Sequence, residues 1–183
     1  MPKSWLSEEW RKLMKRILVK SITVIDRFNT VFGKIISYAI YIMFVCILFE
    51  VFSRYALNKP TIWANELSVY LFGALGVLAG AFVLTQDQHI RIDILYSRYS
   101  PRTKAIVNCI TVIFIIFWAC LIIYYGWPVF LKTFMRNELS ITAWRAPLWP
   151  IRLMIPVGGI LLIVAAVSKL LKSIFTFITR EEI

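Results

Sequence analysis

The sequence predicts an all-α integral membrane protein in which four transmembrane helices follow an amphipathic interfacial helix and both termini are cytoplasmic. Three observations support this fold class. Hydrophobic residues make up 60% of the 183 residues, and the mean hydropathy is +0.73, whereas soluble domains contain roughly 45–50% apolar residues. Several apolar runs are long enough to cross a bilayer. The basic residues are divided unequally between the two sides of the membrane that these runs define.

The first predicted unit is an amphipathic helix over residues 1–34, on the cytoplasmic face of the membrane. Apolar residues recur at helical spacing from Leu6 to Phe28, and Trp5 and Trp10 can anchor such a helix in the interface. Its basic residues are expected to meet anionic lipid headgroups; the first of them are Arg11, Lys12, Lys15 and Arg16. The alternative is a soluble amphipathic helix that packs on a partner.

The membrane domain is predicted over residues 35–172, followed by a cytoplasmic tail at 173–183. At about 1.5 Å per residue, a helix of about 20 residues matches the roughly 30 Å hydrocarbon core of a bilayer. The charge-free run Leu67–Gln86 has 20 residues, and the run Ala105–Leu131 has 27. The four predicted spans are 35–57, 66–87, 105–131 and 153–171.

The distribution of Lys and Arg predicts the orientation of the chain. The amino-terminal segment, the loop between spans two and three and the carboxyl end carry 15 of the 21 basic residues; the other side carries five, and Arg54 lies in span one. Because cytoplasmic flanks are rich in Lys and Arg, both termini are predicted to be cytoplasmic. The net charge of +11 is likewise attributed to topology and lipid headgroups, not to nucleic acid. Pro147 and Pro150 interrupt the helical pattern of the chain between spans three and four. We therefore predict an interfacial connector before span four.

Span two contains three glycines on one helix face, Gly73, Gly76 and Gly80, and span four contains Gly158 within a second small-residue surface. Lipid tails give helices no hydrophobic reason to associate, so small residues are what allow two membrane helices to approach closely. We therefore predict that these four glycines form helix-packing surfaces, either inside the bundle or against a partner.

Glu50, Arg54 and Glu66 form a predicted structural charge cluster near the end of the spans opposite the cytoplasm. Charges inside a membrane segment are expensive and generally find protein partners. Glu50 and Arg54 are one helical turn apart, and Glu66 returns at the start of span two, so Arg54 is expected to bridge both carboxylates. The alternative for Glu50 is a group that couples transport to an ion or a proton.

The sequence gives little support for catalysis, and we predict neither a cofactor nor a metal site. The three cysteines lie in apolar runs and form no Cys-x-x-Cys motif. The single histidine, His89, belongs to a polar loop with Arg91 and Asp93. This loop is either a solvated turn or a structured contact that locks the turn or docks a partner.

Several short motifs follow one another in a specific order along the chain. They are Ser53-Arg54-Tyr55, Pro60 with Trp63-x-x-Glu66-Leu67, the glycine-rich span, His89-Ile-Arg91-Ile-Asp93, Pro147-Leu-Trp149 and Pro156-x-Gly158. In order and separation they resemble the small membrane subunit of TRAP (tripartite ATP-independent periplasmic) transporters, the DctQ-like family. The resemblance covers most of residues 35–172, and the first 34 residues have no residue-by-residue match.

This resemblance implies a scaffold subunit of a sodium-coupled importer in the bacterial inner membrane. Such a subunit pairs with a large membrane subunit, which holds the substrate and sodium sites and moves as an elevator. A periplasmic binding protein delivers the substrate, an organic acid such as a dicarboxylate or a sialic acid. The competing hypothesis is a self-sufficient four-helix exporter that is coupled to protons through Glu50. The late position of Glu50 in span one, beside Arg54, weakens that hypothesis.

Overall fold

The computed structural model describes residues 4–86 and 101–179, and these residues form five α-helices. They are α1 (Ser4–Ser37), α2 (Ala39–Tyr55), α3 (Ile62–Thr85), α4 (Pro101–Met135) and α5 (Trp149–Thr179). Four segments are long and apolar enough to cross a membrane: Val19–Tyr55, Ile62–Thr85, Ile106–Met135 and Trp149–Ile174. The predicted all-helical fold with four candidate spans is therefore confirmed. The interfacial position of the first helix and the cytoplasmic termini remain predictions.

Helices α1 and α2 form an almost continuous rod. Tyr38, which lies between them, keeps helical dihedral angles with φ −63° and ψ −20°. The rod therefore passes the predicted boundary between the amphipathic helix and span one without ending there. Its contacts with α3 run antiparallel, since Gly33 lies against Phe82 and the ring of Phe49 lies 5.5 Å from that of Trp63.

Helices α4 and α5 extend beyond the predicted spans. The predicted spans end at the first charged residues, which mark the edge of the hydrocarbon core. The helices continue further because charged residues outside the core do not interrupt the backbone hydrogen bonds of a helix. Pro150 does not interrupt α5, because it lies in the first turn, where a backbone N–H has no partner within the helix in any case. Pro156 lies further inside α5 and is fully buried.

The helices form an open row instead of a closed bundle. The most extensive interface joins α4 to α5, followed by those of α3 with α5 and of α2 with α3, while α1 packs on both α3 and α5. Helices α3 and α5 therefore lie in the middle of the row, and each packs on three other helices. Small apolar side chains dominate the core, which lets the helices approach closely. The core residues are Ala74, Leu78, Ala81, Leu84, Val112, Leu161, Ala165 and Ala166.

The close contact between α4 and α5 depends on two glycines: Gly126, which the sequence analysis did not select, and Gly159, which belongs to the small-residue surface predicted for span four. A Cβ atom on Gly126 would lie 2.9 Å from Cγ2 of Ile155, and one on Gly159 would lie 2.8 Å from Cγ1 of Ile123. Both separations are too short for real side chains. These glycines therefore set the distance between the two helices.

Candidate functional site at the connector end of the row

The turn at residues 56–61 and the connector at residues 136–148 lie at the same end of the row, which we call the connector end. The connector is a compact hairpin in which Leu139 and Pro147 form an antiparallel bridge. Asparagine adopts the left-handed region more readily than most residues. Each segment contains one asparagine in that region, Asn58 with φ 53° and Asn137 with φ 48°.

Glu50 fastens α2 to the start of α3. Its Oε1 atom accepts hydrogen bonds from Nε of Arg54 at 3.0 Å and from Nη2 at 2.5 Å. Its Oε2 atom accepts hydrogen bonds from the backbone N–H of Thr61 at 2.7 Å and from the Thr61 hydroxyl. Glu50 is buried, and both of its carboxylate oxygens are occupied by donors from its own chain.

Glu66 fastens α3 to the connector. Its Oε1 atom accepts a hydrogen bond from the Tyr70 hydroxyl at 2.5 Å, and its Oε2 atom accepts one from the Thr142 hydroxyl. The ring of Trp144, also in the connector, stacks on Tyr70 at a centroid distance of 6.4 Å. The expectation that Arg54 bridges both carboxylates is therefore wrong, because Glu66 binds the connector. Glu66 and Thr142 are 76 positions apart in the sequence. No local sequence signal therefore predicts this contact.

A third carboxylate, which the sequence analysis missed, attaches the connector to α4 and α5. Oε2 of Glu138 lies 2.7 Å from Nη1 of Arg152, and Arg152 also donates a hydrogen bond to the hydroxyl of the buried Thr133. The only sequence signal is a pair of opposite charges on either side of a proline-containing segment. No helical spacing relates them, because the connector lies between them.

These three carboxylates have one property in common: each joins a helix to a segment that follows it or crosses it. Their donors are two arginines, hydroxyl groups and a backbone amide. Among the described residues no group of three or more His, Cys, Asp or Glu side chains is arranged to hold a metal ion. The chemistry of the connector end is therefore suited to fixing the helices relative to one another.

An apolar groove lies over α5, between α3 and α4, with a volume of about 670 Å³. Gly76 and Gly80 line its α3 wall, and Phe114 and Trp118 line its α4 wall. A Cβ atom on Gly76 would meet nothing within 4 Å, and one on Gly80 would lie 4.0 Å from Cδ1 of Leu162. These two glycines therefore leave an open surface on this face of the row.

The other two glycines of the predicted packing surfaces contact the chain itself. Gly158 is buried in the contact between α3 and α5, where a Cβ atom would overlap the side chain of Val77 and lie 3.0 Å from its carbonyl oxygen. Gly73 is more loosely packed, since a Cβ atom added there would lie 3.7 Å from Cδ1 of Ile151. Gly158 therefore belongs to the packing of α3 against α5, where it also lines the groove.

Helix α1 holds the opposite end of the row together. Oδ1 of Asp26 accepts a hydrogen bond from the Ser168 hydroxyl at 2.7 Å, and Oδ2 lies 2.6 Å from Nζ of Lys172. The sequence analysis did not predict this attachment of α1 to α5. Arg16 of the predicted basic face is exposed. The side chains of Arg11, Lys12 and Lys15, and the loop residues His89, Arg91 and Asp93, lie outside the described part of the chain.

Comparison with known proteins relates this arrangement to a family. A family model described as tripartite ATP-independent periplasmic transporters, DctQ component, matches residues 43–176. The match spans the connector end and includes all or part of each candidate span. A comparison with curated proteins returned no significant match. Because the family model covers most of the chain, this protein belongs to the DctQ family, the small membrane component of the TRAP transporters.

Proposed function

We propose that this chain is the scaffold subunit of a sodium-coupled TRAP transporter that imports an organic acid across the bacterial inner membrane. Family membership makes it a component of a transporter, not an enzyme. In this proposal a large membrane subunit carries the substrate and sodium sites, and a periplasmic binding protein delivers the substrate. One observation supports the scaffold role above all: the carboxylates of the connector end are engaged in contacts between helices and connecting segments.

The hydrogen bonds of Glu50 argue against a coupling role for this residue. A carboxylate that couples transport must exchange a proton or an ion with each side of the membrane in turn. Both oxygens of Glu50 already accept hydrogen bonds, from Arg54 and from Thr61. To release them, the attachment of α2 to α3 would have to break in every cycle. The proton-coupled exporter is therefore the weaker hypothesis.

The proposed contact with the large subunit uses the groove between α3 and α4. Gly76 and Gly80 leave its α3 wall open, and a helix with a complementary side chain can approach a glycine surface closely. The row arrangement adds to this, because it leaves large apolar side chains exposed, including Phe72, Phe114 and Trp118. A row of helices beside the large subunit would increase the area that the complex occupies in the plane of the membrane.

We place the connector end in the periplasm and both termini in the cytoplasm, as the distribution of basic residues predicts. Helix α1 then carries its basic residues toward the anionic headgroups of the cytoplasmic leaflet, where each contributes about 1 kcal/mol to binding. The polar loop with His89, Arg91 and Asp93 falls on this same side. Exposed basic residues continue along one face of α1, at Arg16, Lys20, Arg27 and Lys34.

Uptake into reconstituted vesicles tests this proposal. The chain is inserted alone, with the large subunit, and with both the large subunit and the binding protein, under an inward sodium gradient. The substrates are a panel of radiolabelled dicarboxylates and a sialic acid. We expect uptake only when all three components and sodium are present. Glu50→Gln is expected to leave most of this uptake, because glutamine still offers Thr61 an acceptor.

A matched variant makes the result specific to Glu50. Glu138→Gln changes another carboxylate of the connector end, in a segment distant from α2, and is expected to behave like Glu50→Gln. Substrate movement by this chain alone, abolished by Glu50→Gln and retained by Glu138→Gln, would contradict the scaffold function and support the exporter.

A further inference from the structure

A narrow notch follows the outer face of α2 at the connector end, with a volume of about 220 Å³. Its α2 residues recur at intervals of three and four and so share one face of the helix. Ile47 lies furthest from the connector end, Glu50 and Val51 lie about one turn closer, and Arg54 and Tyr55 lie about one turn closer again. The notch therefore extends about 10 Å along α2, from the apolar Ile47 to the polar end at Arg54, as seven residues at 1.5 Å each imply. It is lined by Ile47, Glu50, Val51, Arg54, Tyr55 and Asn65.

The guanidinium of Arg54 at the polar end has donors that this chain does not use. Nε and Nη2 donate to one oxygen of Glu50. A guanidinium carries five N–H groups, and within the described residues Arg54 makes no other hydrogen bond. Its side chain is 51% exposed, so the remaining N–H groups are accessible from the notch.

Glu50 holds this guanidinium in place without offering an acceptor of its own to the notch. Its two oxygens are occupied by Arg54 and Thr61, and the Glu50–Arg54 pair is neutral. Lys59 is exposed in the adjoining turn, where its backbone N–H donates to the carbonyl of Ser53 at 2.9 Å. The lining residues therefore carry no net charge, and Lys59 adds a positive charge in the adjoining turn. The exposed amide of Asn65 adds a neutral donor on the α3 side.

We propose that the notch binds the phosphate group of a membrane phospholipid. The planar fork of Arg54 is suited to phosphate oxygens, and Asn65 supplies a second donor. The acyl chains then follow Ile47 and Val51, whose side chains are exposed on α2, toward the middle of the bilayer. A phospholipid has the same order of polarity as the notch, with its phosphate at the surface and its chains below. This assignment depends on neither the transport function nor the orientation of the chain.

Native mass spectrometry of the full-length chain in mild detergent tests the assignment. The probe is dioleoyl phosphatidylglycerol, titrated onto delipidated protein. We expect the wild type to retain one tightly bound phospholipid. Arg54→Gln is expected to weaken that binding about tenfold or more, because a hydrogen bond to a charged group is lost. The control is Arg136→Gln, which removes an exposed arginine of the connector outside the notch and should leave binding unchanged.

A second variant separates lipid binding from loss of structure. Asn65→Phe fills the notch from the α3 side and leaves the Glu50–Arg54 pair in place. It is expected to lower lipid occupancy as Arg54→Gln does, with helicity and thermal stability like those of the wild type. Wild-type lipid occupancy in both variants would overturn the proposal.

Two further measurements distinguish a phospholipid from two other negatively charged ligands, a free phosphate ion and an acidic side chain of the large subunit. Inorganic phosphate at tens of millimolar is expected not to displace the lipid, because it cannot occupy the apolar half of the notch. Displacement would show a simple anion site and overturn the assignment. The large subunit is the other candidate, through an acidic side chain. If Arg54→Gln left lipid binding unchanged but reduced co-purification of the large subunit, the notch would be a protein contact instead.

Discussion

At the scale of single residues, the connector end shows how charged groups are accommodated at the margin of a membrane segment. An ion in such a place is stable only when its oxygens are satisfied by the protein. Glu50 receives an arginine, a backbone amide and a hydroxyl. Glu66 receives two hydroxyl groups. The carboxylates therefore act as fixed acceptors around which connecting segments are arranged.

The two partners in the α2 pair are expected to respond differently to mutation. Arg54→Ala leaves the buried Glu50 without its counter-charge, so the melting temperature of the purified chain in detergent should fall by several degrees. Glu50→Gln should change it little, because glutamine still accepts from Thr61 and the half-exposed Arg54 remains solvated. Arg136→Ala is the control, with an exposed side chain and no expected effect. A larger loss in Glu50→Gln than in Arg54→Ala would refute this assignment of roles.

At the scale of helices, glycines from two similar small-residue patterns have different environments. Gly158 lies inside the contact of α5 with α3, whereas Gly76 points to open space. Both belong to small-residue patterns that favour close packing. Their surroundings differ because Gly158 lies against Val77 of α3, whereas Gly76 lies on the wall of α3 that lines the groove.

This difference predicts opposite outcomes for two identical substitutions. Gly158→Leu should destabilise the isolated chain by about 3 kcal/mol, since the side chain would overlap Val77 and push α3 from α5. Gly76→Leu should leave the melting temperature of the isolated chain unchanged but reduce co-purification of the large subunit. Thermal unfolding and affinity co-purification in mild detergent measure the two effects. If the Gly76→Leu variant co-purified with the large subunit as well as the wild type does, this wall of the groove would face lipid instead.

At the scale of the whole molecule, the row joins segments that are distant in the sequence. The turn between α2 and α3 and the connector between α4 and α5 lie together at one end, while Asp26 attaches α1 to α5 near the other. Helix α1 is thereby part of the packed structure over its second half. This packed half of α1 lies within the candidate span Val19–Tyr55.

Cysteine labelling tests the placement of these ends across the membrane. In a background with the three native cysteines replaced by alanine, an impermeant maleimide applied to intact cells should label Asn58→Cys and Ile141→Cys. It should not label Ser100→Cys, which follows from cytoplasmic termini and four spans. Labelling of Ser100→Cys from outside would show that the predicted orientation is wrong. Labelling of only one of Asn58→Cys and Ile141→Cys would contradict the shared connector end.

The sequence by itself determined the helical class, the four candidate spans and the Glu50–Arg54 pair, because each depends on local spacing. Apolar length sets a span, and a separation of four residues brings two side chains together on a helix. Only the tertiary structure decided that Glu66 meets Thr142, that Gly158 is internal while Gly76 is open, and that α1 is fastened through Asp26. These contacts join segments far apart in the chain. They follow from the order in which helices pack, which no local pattern of apolar, small or charged residues specifies.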